Sequence, residues 1–250
     1  QRAGIGINAG RIRGLGSKIR GGEVQHTGVI PFLKKFEATV RSCTQNGVRG
    51  GSATVHFPIW HQEIEDILVL KNNKGTEDNR VRKLDYSIQI SQLFYQRFIT
   101  NEDITLFSPH SVPGLYEAFG TPEFDELYEK YERATSVPKT KVSARDLFTN
   151  MLKERAETGR IYIMNIDHCN SHSSFTDKVN MSNLCQEITL PTDPLTHIDG
   201  DGEIALCILS AINVGTIKLE ELSNLCDLAV RGLEELIDFQ EYPVEAAKRS

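Results

Sequence analysis

Short apolar runs of strand length alternate with stretches of helical periodicity along this chain of 250 residues. The predicted strands occupy 4–8, 53–57, 84–91, 103–108 and 160–167. The principal predicted helices occupy 27–42, 59–70, 92–99, 122–132, 143–159 and 219–239. Such alternation limits the chain to an α/β fold, in which helices cover a sheet. Because no linker, internal repeat or low-complexity segment interrupts the pattern, we expect one domain.

Charge and hydropathy exclude two classes of partner. The formal net charge is −6, so the chain offers no broad basic field for nucleic acid. Its apolar runs are shorter than the roughly 18–20 residues that a membrane-spanning helix needs. Five cysteines without a CxxC pair indicate a reducing, cytoplasmic setting, in which a special cysteine is catalytic or redox-active.

The segment MSNLCQEITLPT, residues 181–192, places an amide, a thiol and an acid at alternate positions. These are Asn183, Cys185 and Glu187. In extended backbone, alternate side chains point to one side, so all three groups would face the same reactant. A pattern of three residues also arises by chance, and taken alone it leaves a catalytic cluster and an ordinary polar loop open.

Two glycine-rich loops carry basic residues suited to phosphate. The first, residues 9–22, contains five glycines and four cations, and the second covers residues 42–52. Glycines let backbone amides approach phosphate, and arginine forks match its oxygens, with Arg13 and Arg20 as the candidates. Neither loop matches a P-loop or a dinucleotide fingerprint. Two solvated surface turns therefore remain the alternative.

The sequence DHCNSH at 167–172 raises the question of a metal site. Its possible ligands are Asp167, His168, Cys169 and His172. The spacing matches no standard zinc pattern, so a polar loop after a buried strand is favoured and no metal is expected.

Two further cysteines lie in apolar stretches. Cys207 belongs to the strand-like run IALCILS, and Cys226 lies on the apolar face of the helix predicted over 219–239. Burial of a small apolar residue explains both positions. Pattern alone therefore assigns neither cysteine a role.

Family likeness adds what these patterns leave open. The segments concerned are, in order, QRAGIGINAGRIRGLGS, RGGEVQHTGVIPF, GVRGGSATVHFPIWH, VLKNN, NRVRKLDY, DITLFSPH, GLYEAF, ERAETGRIYIMNIDHCN, SNLCQEITLPT, GEIALCILSAIN and YPVEAAKR. In this order they resemble the large, catalytic subunit of class I ribonucleotide reductases. The resemblance covers essentially all 250 residues.

The resemblance implies a particular fold: a ten-stranded α/β barrel of two antiparallel five-stranded halves, with a finger loop at its centre. Residues 181–192 match the tip of that loop, and residues 11–51 match the effector and specificity loops. We expect 1–250 to be an incomplete part of this catalytic barrel domain, a central slice of a longer chain that is inactive by itself.

The resemblance also implies catalytic roles. Cys185 matches the thiyl-radical residue, which takes a hydrogen atom from C3′ of a ribonucleoside diphosphate. An ordinary thiol, with a pKa of about 8.5, is mostly S–H at neutral pH, and burial of the tip inside the barrel would shield the radical. Glu187 would act as base towards the 3′-hydroxyl, while Asn183 would hydrogen-bond at the sugar and hold Glu187 in place.

Loss of the 2′-hydroxyl as water needs two electrons, which the family takes from a cysteine pair that becomes a disulfide. Cys207 matches one member, and the other belongs to a strand that would precede Gln1. The residues expected to contact substrate are Ala3, Gly4, Arg49, Asn183, Leu184, Cys185, Gln186 and Glu187. Ala3 and Gly4 would present their backbone.

Regulation is implied by the two glycine-rich loops. Arg13 and Arg20 match the residues that hold the phosphates of a dNTP or ATP effector. Gln45 and Arg49, in the second loop, would link that effector to the substrate base, which couples two distinct sites. The family binds its effector at a homodimer interface, to which the helices predicted over 27–42 and 59–70 would contribute.

The implied partners are a second large subunit, a separate metal-containing small subunit that generates the radical, and thioredoxin or glutaredoxin as external reductant. The chain itself is expected to bind no cofactor. Two alternatives stay open: a radical enzyme using adenosylcobalamin or a glycyl radical, and a non-catalytic nucleotide-sensing module. The intact Asn183, Cys185 and Glu187 argue against the sensor, which would not need all three.

Overall fold

The computed structural model describes residues 4–45, 47–197 and 200–250. Two compact units are present, one ending at Leu190 and the other running from Pro191 to Ser250. The strands are β1 (Ile5–Asn8), β2 (Lys18–Ile19), β3 (Val24–Gln25), β4 (Thr44–Gln45), β5 (Arg49–Gly50), β6 (Ala53–Pro58), β7 (Asp85–Ile90), β8 (Asp103–Phe107), β9 (Lys139–Ser143) and β10 (Ile161–Asn165). The α-helices are α1 (Ile30–Ser42), α2 (Ile64–Leu68), α3 (Gln92–Thr100), α4 (Leu115–Ala118), α5 (Phe124–Arg133), α6 (Ala144–Thr158), α7 (Ile166–Ser171), α8 (Leu222–Phe239) and α9 (Glu245–Arg249).

A parallel four-stranded sheet, in the order β1-β6-β7-β10, organises the first unit. The five strands predicted between residues 4 and 167 are confirmed with ends that shift by one or two residues, and the α/β prediction is confirmed with them. Three antiparallel pairs, β2–β3, β4–β5 and β8–β9, complete the strands. Across the described parts of the chain these sheets form no closed barrel.

The two faces of the parallel sheet differ in chemistry. Val55 and Phe57 of β6, with Tyr86 and Ile88 of β7, point to one face and join a core that also includes Leu33 of α1. The opposite face, which we call the polar face, carries alternate residues of β1, β6 and β7. They are Gly6 and Asn8 of β1, Thr54 and His56 of β6, and Ser87 and Gln89 of β7. Because side chains alternate along a strand, one register places all of these polar groups together.

Local capping rules place the ends of α6 correctly. The Ser143 hydroxyl accepts a hydrogen bond from the Asp146 backbone N–H at 3.2 Å, as an N-cap should. At the other end Gly159 has φ +67, the left-handed conformation that favours glycine after a helix.

The helix predicted over 59–70 is shorter than expected because its first turn pairs with a strand. The Gln62 N–H donates to the Phe107 carbonyl at 2.8 Å, and the Phe107 N–H donates to the Trp60 carbonyl at 2.8 Å. These bonds hold residues 60–62 beside β8, so α2 begins only at Ile64.

Three predictions outside the sheet are wrong. Residues 167–172, predicted as a loop, lie mostly within helix α7. The run 204–210 around Cys207 is not a strand, because its backbone forms no strand pairing within the described second unit. Helix α8 forms as predicted but has no buried residue. Cys226 and Cys207 are both exposed where burial was expected.

No described helix of this chain is both long enough and apolar enough to cross a membrane.

Candidate active site and nucleotide loops

The segment of residues 180–188, here called the active-site segment, lies across the polar face of the parallel sheet. At its start the Asn180 carbonyl accepts hydrogen bonds from Asn8 Nδ2 at 2.8 Å and from Gln89 Nε2 at 2.7 Å. Further along, Thr54 Oγ1 donates to the Leu184 carbonyl at 2.5 Å. Strands β1, β6 and β7 thus each hold the segment through a side chain.

Close contact of the active-site segment with residues 4–8 explains the two glycines of the sequence GIGIN. A Cβ on Gly6 would lie 1.9 Å from the Ser182 carbonyl oxygen, and a Cβ on Gly4 would lie 2.2 Å from Leu184 Cδ2. Glycine within a strand often marks a close approach to the backbone, and here the approaching group is the active-site segment. Ala3, also expected at the substrate, lies outside the described residues.

Cys185 lies in a turn rather than in extended backbone. Residues 184–186 form the turn, and Gln186 has φ +66 in the left-handed region. The expectation that strand alternation aligns the amide, the thiol and the acid is therefore wrong. The Asn183 side chain braces the turn, because its Oδ1 accepts the Ile188 N–H at 3.1 Å. That bond closes the backbone around Glu187.

The segment separates inward-facing anchors from outward-facing reactive groups. Ser182 is buried, and Asn183 and Gln186 are half-buried, whereas Cys185 and Glu187 are exposed. The expected shielding of Cys185 is not provided by the described residues, since four parallel strands do not enclose the polar face.

A buried histidine lies on the polar face beside the active-site segment. His56 is fully buried, and neither ring nitrogen has a hydrogen-bond partner among the described residues. Burial lowers the pKa of His56 to about 4, while backbone groups of Ser182 and Asn183 act in the opposite direction. The ring is therefore neutral under the segment at physiological pH. Sequence reasoning missed this residue, since a histidine in an apolar strand carries no distinctive signal.

The first glycine-rich loop is held by polar side chains that sequence reasoning missed. Glu63 accepts the Leu15 N–H at 2.8 Å through Oε2 and the Val29 N–H at 3.1 Å through Oε1. Burial raises the pKa of Glu63, and these two backbone N–H groups oppose that rise. Ser108 adds an anchor, since its Oγ accepts the Gly14 N–H at 3.1 Å. One carboxylate thus ties together two points that are 14 residues apart in the chain.

The arginines of this loop differ in the hydrogen bonds and ion pairs that their side chains already make. Arg11 pairs with Glu117 at 3.2 Å and lies over the Tyr116 ring. Arg13 donates from Nη1 to the Lys18 carbonyl at 3.0 Å. Arg20 is exposed, has φ +50, and its side chain makes no hydrogen bond or ion pair with the described residues. Arg20 is therefore the arginine of this loop that is most available to a ligand.

The second glycine-rich loop contains a short hairpin. Its strands β4 and β5 pair Gln45 with Arg49 and Thr44 with Gly50. Arg49 is exposed, whereas the side chain of Gln45 lies outside the described part of the structure. The backbone pairing places the two predicted specificity residues next to each other.

The motif at 167–172 uses its polar side chains to order neighbouring backbone. Asp167 Oδ2 accepts the Gln92 N–H at 2.6 Å, where α3 begins. Asn170 accepts the Val179 N–H at 2.9 Å and donates to the Val179 carbonyl at 3.1 Å. Val179 immediately precedes the active-site segment, so this motif fixes its entry. No group of three or more metal-ligating side chains occurs among the described residues.

Cys207, the predicted redox-active cysteine, lies in the second unit and is exposed.

Comparison with known proteins identifies the class to which this fold and segment belong. The chain matches the family model of the ribonucleotide reductase barrel domain over residues 1–250. It therefore belongs to the ribonucleotide reductase barrel-domain family.

The chain is similar to subunits from bacteria and from a phage. It is 61% identical over 257 aligned positions to the ribonucleoside-diphosphate reductase subunit alpha of Haemophilus influenzae. It is 60% identical over 256 positions to the ribonucleoside-diphosphate reductase 1 subunit alpha of Escherichia coli K12. It is 46% identical over 259 positions to the subunit alpha of Enterobacteria phage T4. Each alignment covers 100% of this chain and 34% of the relative, so the chain spans about a third of their length.

Proposed function

We propose that this chain is the central part of a class I ribonucleotide reductase catalytic subunit, which makes DNA precursors from ribonucleoside diphosphates. The observation that carries the proposal is the active-site segment itself. Its turn presents Cys185 and Glu187 outward, while side chains of β1, β6 and β7 hold its backbone. An exposed thiol and an exposed carboxylate two residues apart on a braced turn suit hydrogen-atom and proton transfer at a sugar.

The proposed reaction starts when the Cys185 sulfur radical takes the hydrogen atom from C3′, forming S–H and a carbon radical. Glu187 accepts the proton of the 3′-hydroxyl, and the 2′-hydroxyl leaves as water with an added proton. Two thiols supply two electrons and two protons, and they become one disulfide. Because Cys185 is a catalyst, its hydrogen atom returns to C3′. The net change is one ribonucleoside diphosphate and two thiols to one deoxyribonucleoside diphosphate, one disulfide and water.

Asn183 is proposed to serve both the substrate and the turn. Its Oδ1 is occupied by the Ile188 N–H and the Ser182 hydroxyl, each at 3.1 Å. Its Nδ2 makes no hydrogen bond with the described residues and is left to donate to the sugar. The bond to Ile188 supports the further proposal that Asn183 holds Glu187 in place.

Cys207 is proposed as one of the two reducing thiols, with its partner supplied by sequence outside this chain. Thioredoxin or glutaredoxin would then reduce the resulting disulfide. The exposed position of Cys207 is compatible with a thiol that exchanges electrons.

Replacing Cys207 by serine in the complete chain should stop steady-state reduction, because a serine hydroxyl cannot form the disulfide that releases two electrons. Product formed per minute with thioredoxin as reductant measures the effect. Cys226→Ser is the matched control, since Cys226 is also exposed in the second unit and has no proposed role. Continuous multiple turnover by Cys207→Ser would remove this cysteine from the reducing pair.

The two glycine-rich loops are proposed to bind a dNTP or ATP effector and to couple the identity of that effector to the choice of substrate base. Arg13 and Arg20 would contact the effector phosphates, and Gln45 and Arg49 would carry the information to the substrate. The support lies in the anchoring of the first loop by Glu63 and in the exposed side chain of Arg20.

Replacing Arg20 by alanine in the complete chain should weaken dTTP binding roughly ten- to hundredfold, the usual cost of losing a hydrogen bond between charged groups. Calorimetric titration with dTTP measures it. Arg11→Ala is the matched control, because Arg11 belongs to the same loop but already pairs with Glu117. Equal loss in both variants would point to general loop damage rather than to phosphate contact by Arg20.

The remaining features of the complete enzyme are proposals that rest on family membership. Residues 1–250 would form part of a ten-stranded barrel of two antiparallel halves, with 181–192 as the finger-loop tip and 11–51 as the effector and specificity loops. Ala3, Gly4 and Leu184 would line the substrate site. The enzyme would act in the cytoplasm as a homodimer of large subunits, and its radical would come from a separate metal-containing small subunit.

A further inference from the structure

We propose that the Gln186 side chain, together with Ser87, is a positioning device that orients Cys185 for hydrogen-atom transfer. The inference rests on the proposed role of Cys185 as the radical residue. It departs from the expectation that Gln186 contacts substrate, because the amide of Gln186 is directed into the sheet.

Both ends of the Gln186 amide are bonded to the parallel sheet. Its Nε2 donates to the Ile163 carbonyl at 2.6 Å, and its Oε1 accepts from the Ser87 hydroxyl. Ile163 belongs to β10 and Ser87 to β7, so one side chain ties the turn to two adjacent strands. Ser87 is fully buried, and its hydroxyl therefore offers a fixed point rather than a mobile one.

The backbone at Gln186 explains why such an anchor matters. Its φ of +66 lies in the left-handed region, which residues other than glycine, asparagine and aspartate rarely adopt. Glutamine has no local hydrogen bond that favours this conformation, so the surrounding structure must hold it. The peptide that this conformation orients joins Gln186 to Cys185, and it therefore sets the direction of the Cys185 Cα–Cβ bond.

The anchors and the reactive groups alternate through the turn. Gln186 points into the sheet, whereas its neighbours Cys185 and Glu187 are exposed. Releasing the Gln186 amide would let the turn rotate and change the direction of both neighbours. Since hydrogen-atom transfer requires close and aligned atoms, an error of about 1 Å at the sulfur can cost about 10²-fold in rate.

The test uses the complete chain with its small subunit and compares Gln186→Leu, Gln186→Gly and Ser87→Ala. Gln186→Leu should lower kcat roughly ten- to hundredfold, with the substrate KM and dTTP affinity within about twofold of wild type. Ser87→Ala should have a smaller effect. The double variant Ser87→Ala/Gln186→Leu should be no worse than Gln186→Leu alone, because both changes remove the same bond.

The Gln186→Gly variant distinguishes the effect of losing the side-chain hydrogen bonds from the effect of the backbone conformation. Glycine accepts a φ of +66 without strain, so wild-type kcat in this variant would overturn the proposal in favour of a purely conformational role. A loss similar to that of Gln186→Leu would support the anchor.

A deuterium isotope effect at C3′ distinguishes positioning from general structural damage. Poor alignment of sulfur slows the transfer itself, so the isotope effect on kcat should rise in Gln186→Leu and in Ser87→Ala. If the lower kcat reflected only a smaller fraction of active enzyme, the isotope effect would be unchanged. An unchanged isotope effect would therefore overturn the proposal. Should Gln186→Leu fail to fold, Ser87→Ala decides by the same readout. If wild type makes no product, or if Cys185→Ser retains turnover, the proposed function itself fails rather than this inference.

Discussion

Replacing Cys185 by serine in the complete chain is expected to abolish deoxyribonucleoside diphosphate formation while dTTP binding stays near wild type. An alcohol O–H bond is much stronger than a thiol S–H bond, so oxygen cannot pass the hydrogen atom back and forth as sulfur does. Loss of a residue that performs the chemistry costs other enzymes up to about 10⁶-fold in kcat. Product formed per hour, measured by chromatography against a no-enzyme blank, should therefore fall to background.

The selectivity of this result makes it informative. Cys185 is exposed at the tip of the turn, so exchanging sulfur for oxygen there leaves the packing of the sheet intact. Cys226→Ser serves as the control for loss of an exposed thiol and should keep wild-type turnover. Product above background from Cys185→Ser would remove Cys185 from the radical step, and with it the proposed function.

Adding one methyl group at Gly6 is expected to lower kcat by about 10²-fold. The new Cβ would lie 1.9 Å from the Ser182 carbonyl oxygen and 3.0 Å from Met181 Cε, so the backbone of the active-site segment must move. The Ser182 hydroxyl donates to the Ile188 carbonyl at 2.5 Å, and any shift of Ser182 is passed to the far side of the turn. A displacement of about 1 Å at the reacting atoms has this scale of effect. Steady-state kinetics of Gly6→Ala measure it.

Stability should fall as well, by about 1–3 kcal/mol, which is the usual cost of overpacking. Gly232→Ala is the control. Gly232 lies within α8, has no atom within 4 Å of an added Cβ, and should tolerate alanine or gain about 0.5–1 kcal/mol. Gly6 lies in strand β1 without a positive φ, so alanine itself fits the backbone there. Wild-type kcat and melting temperature for Gly6→Ala would mean that the segment does not rest on β1 in the working enzyme.

Local rules were sufficient for much of the secondary structure. The strands of the parallel sheet follow from short apolar runs, and the limits of α6 follow from Ser143 and Gly159. Such features depend on neighbours within a few residues, so a single sequence carries them. The helix predicted over 59–70 began too early because its first residues pair with Phe107, which is more than 40 positions away.

The sequence by itself determined the α/β class, the identity of the three candidate catalytic residues, and the likeness to one family. It did not determine how those residues are presented. Strand alternation predicted an extended segment, but bonds from β1, β6 and β7 and the anchor at Gln186 produce a turn instead.

Only the tertiary structure decided the roles of Gly6, Glu63 and Gln186. Each acts through a partner that is distant in sequence: Gly6 accommodates Ser182, Glu63 closes the first glycine-rich loop, and Gln186 reaches Ser87 and Ile163. The physical reason is that steric clearance and buried hydrogen bonds depend on which atoms meet in space. A linear pattern specifies the groups that are available, and packing specifies which of them meet.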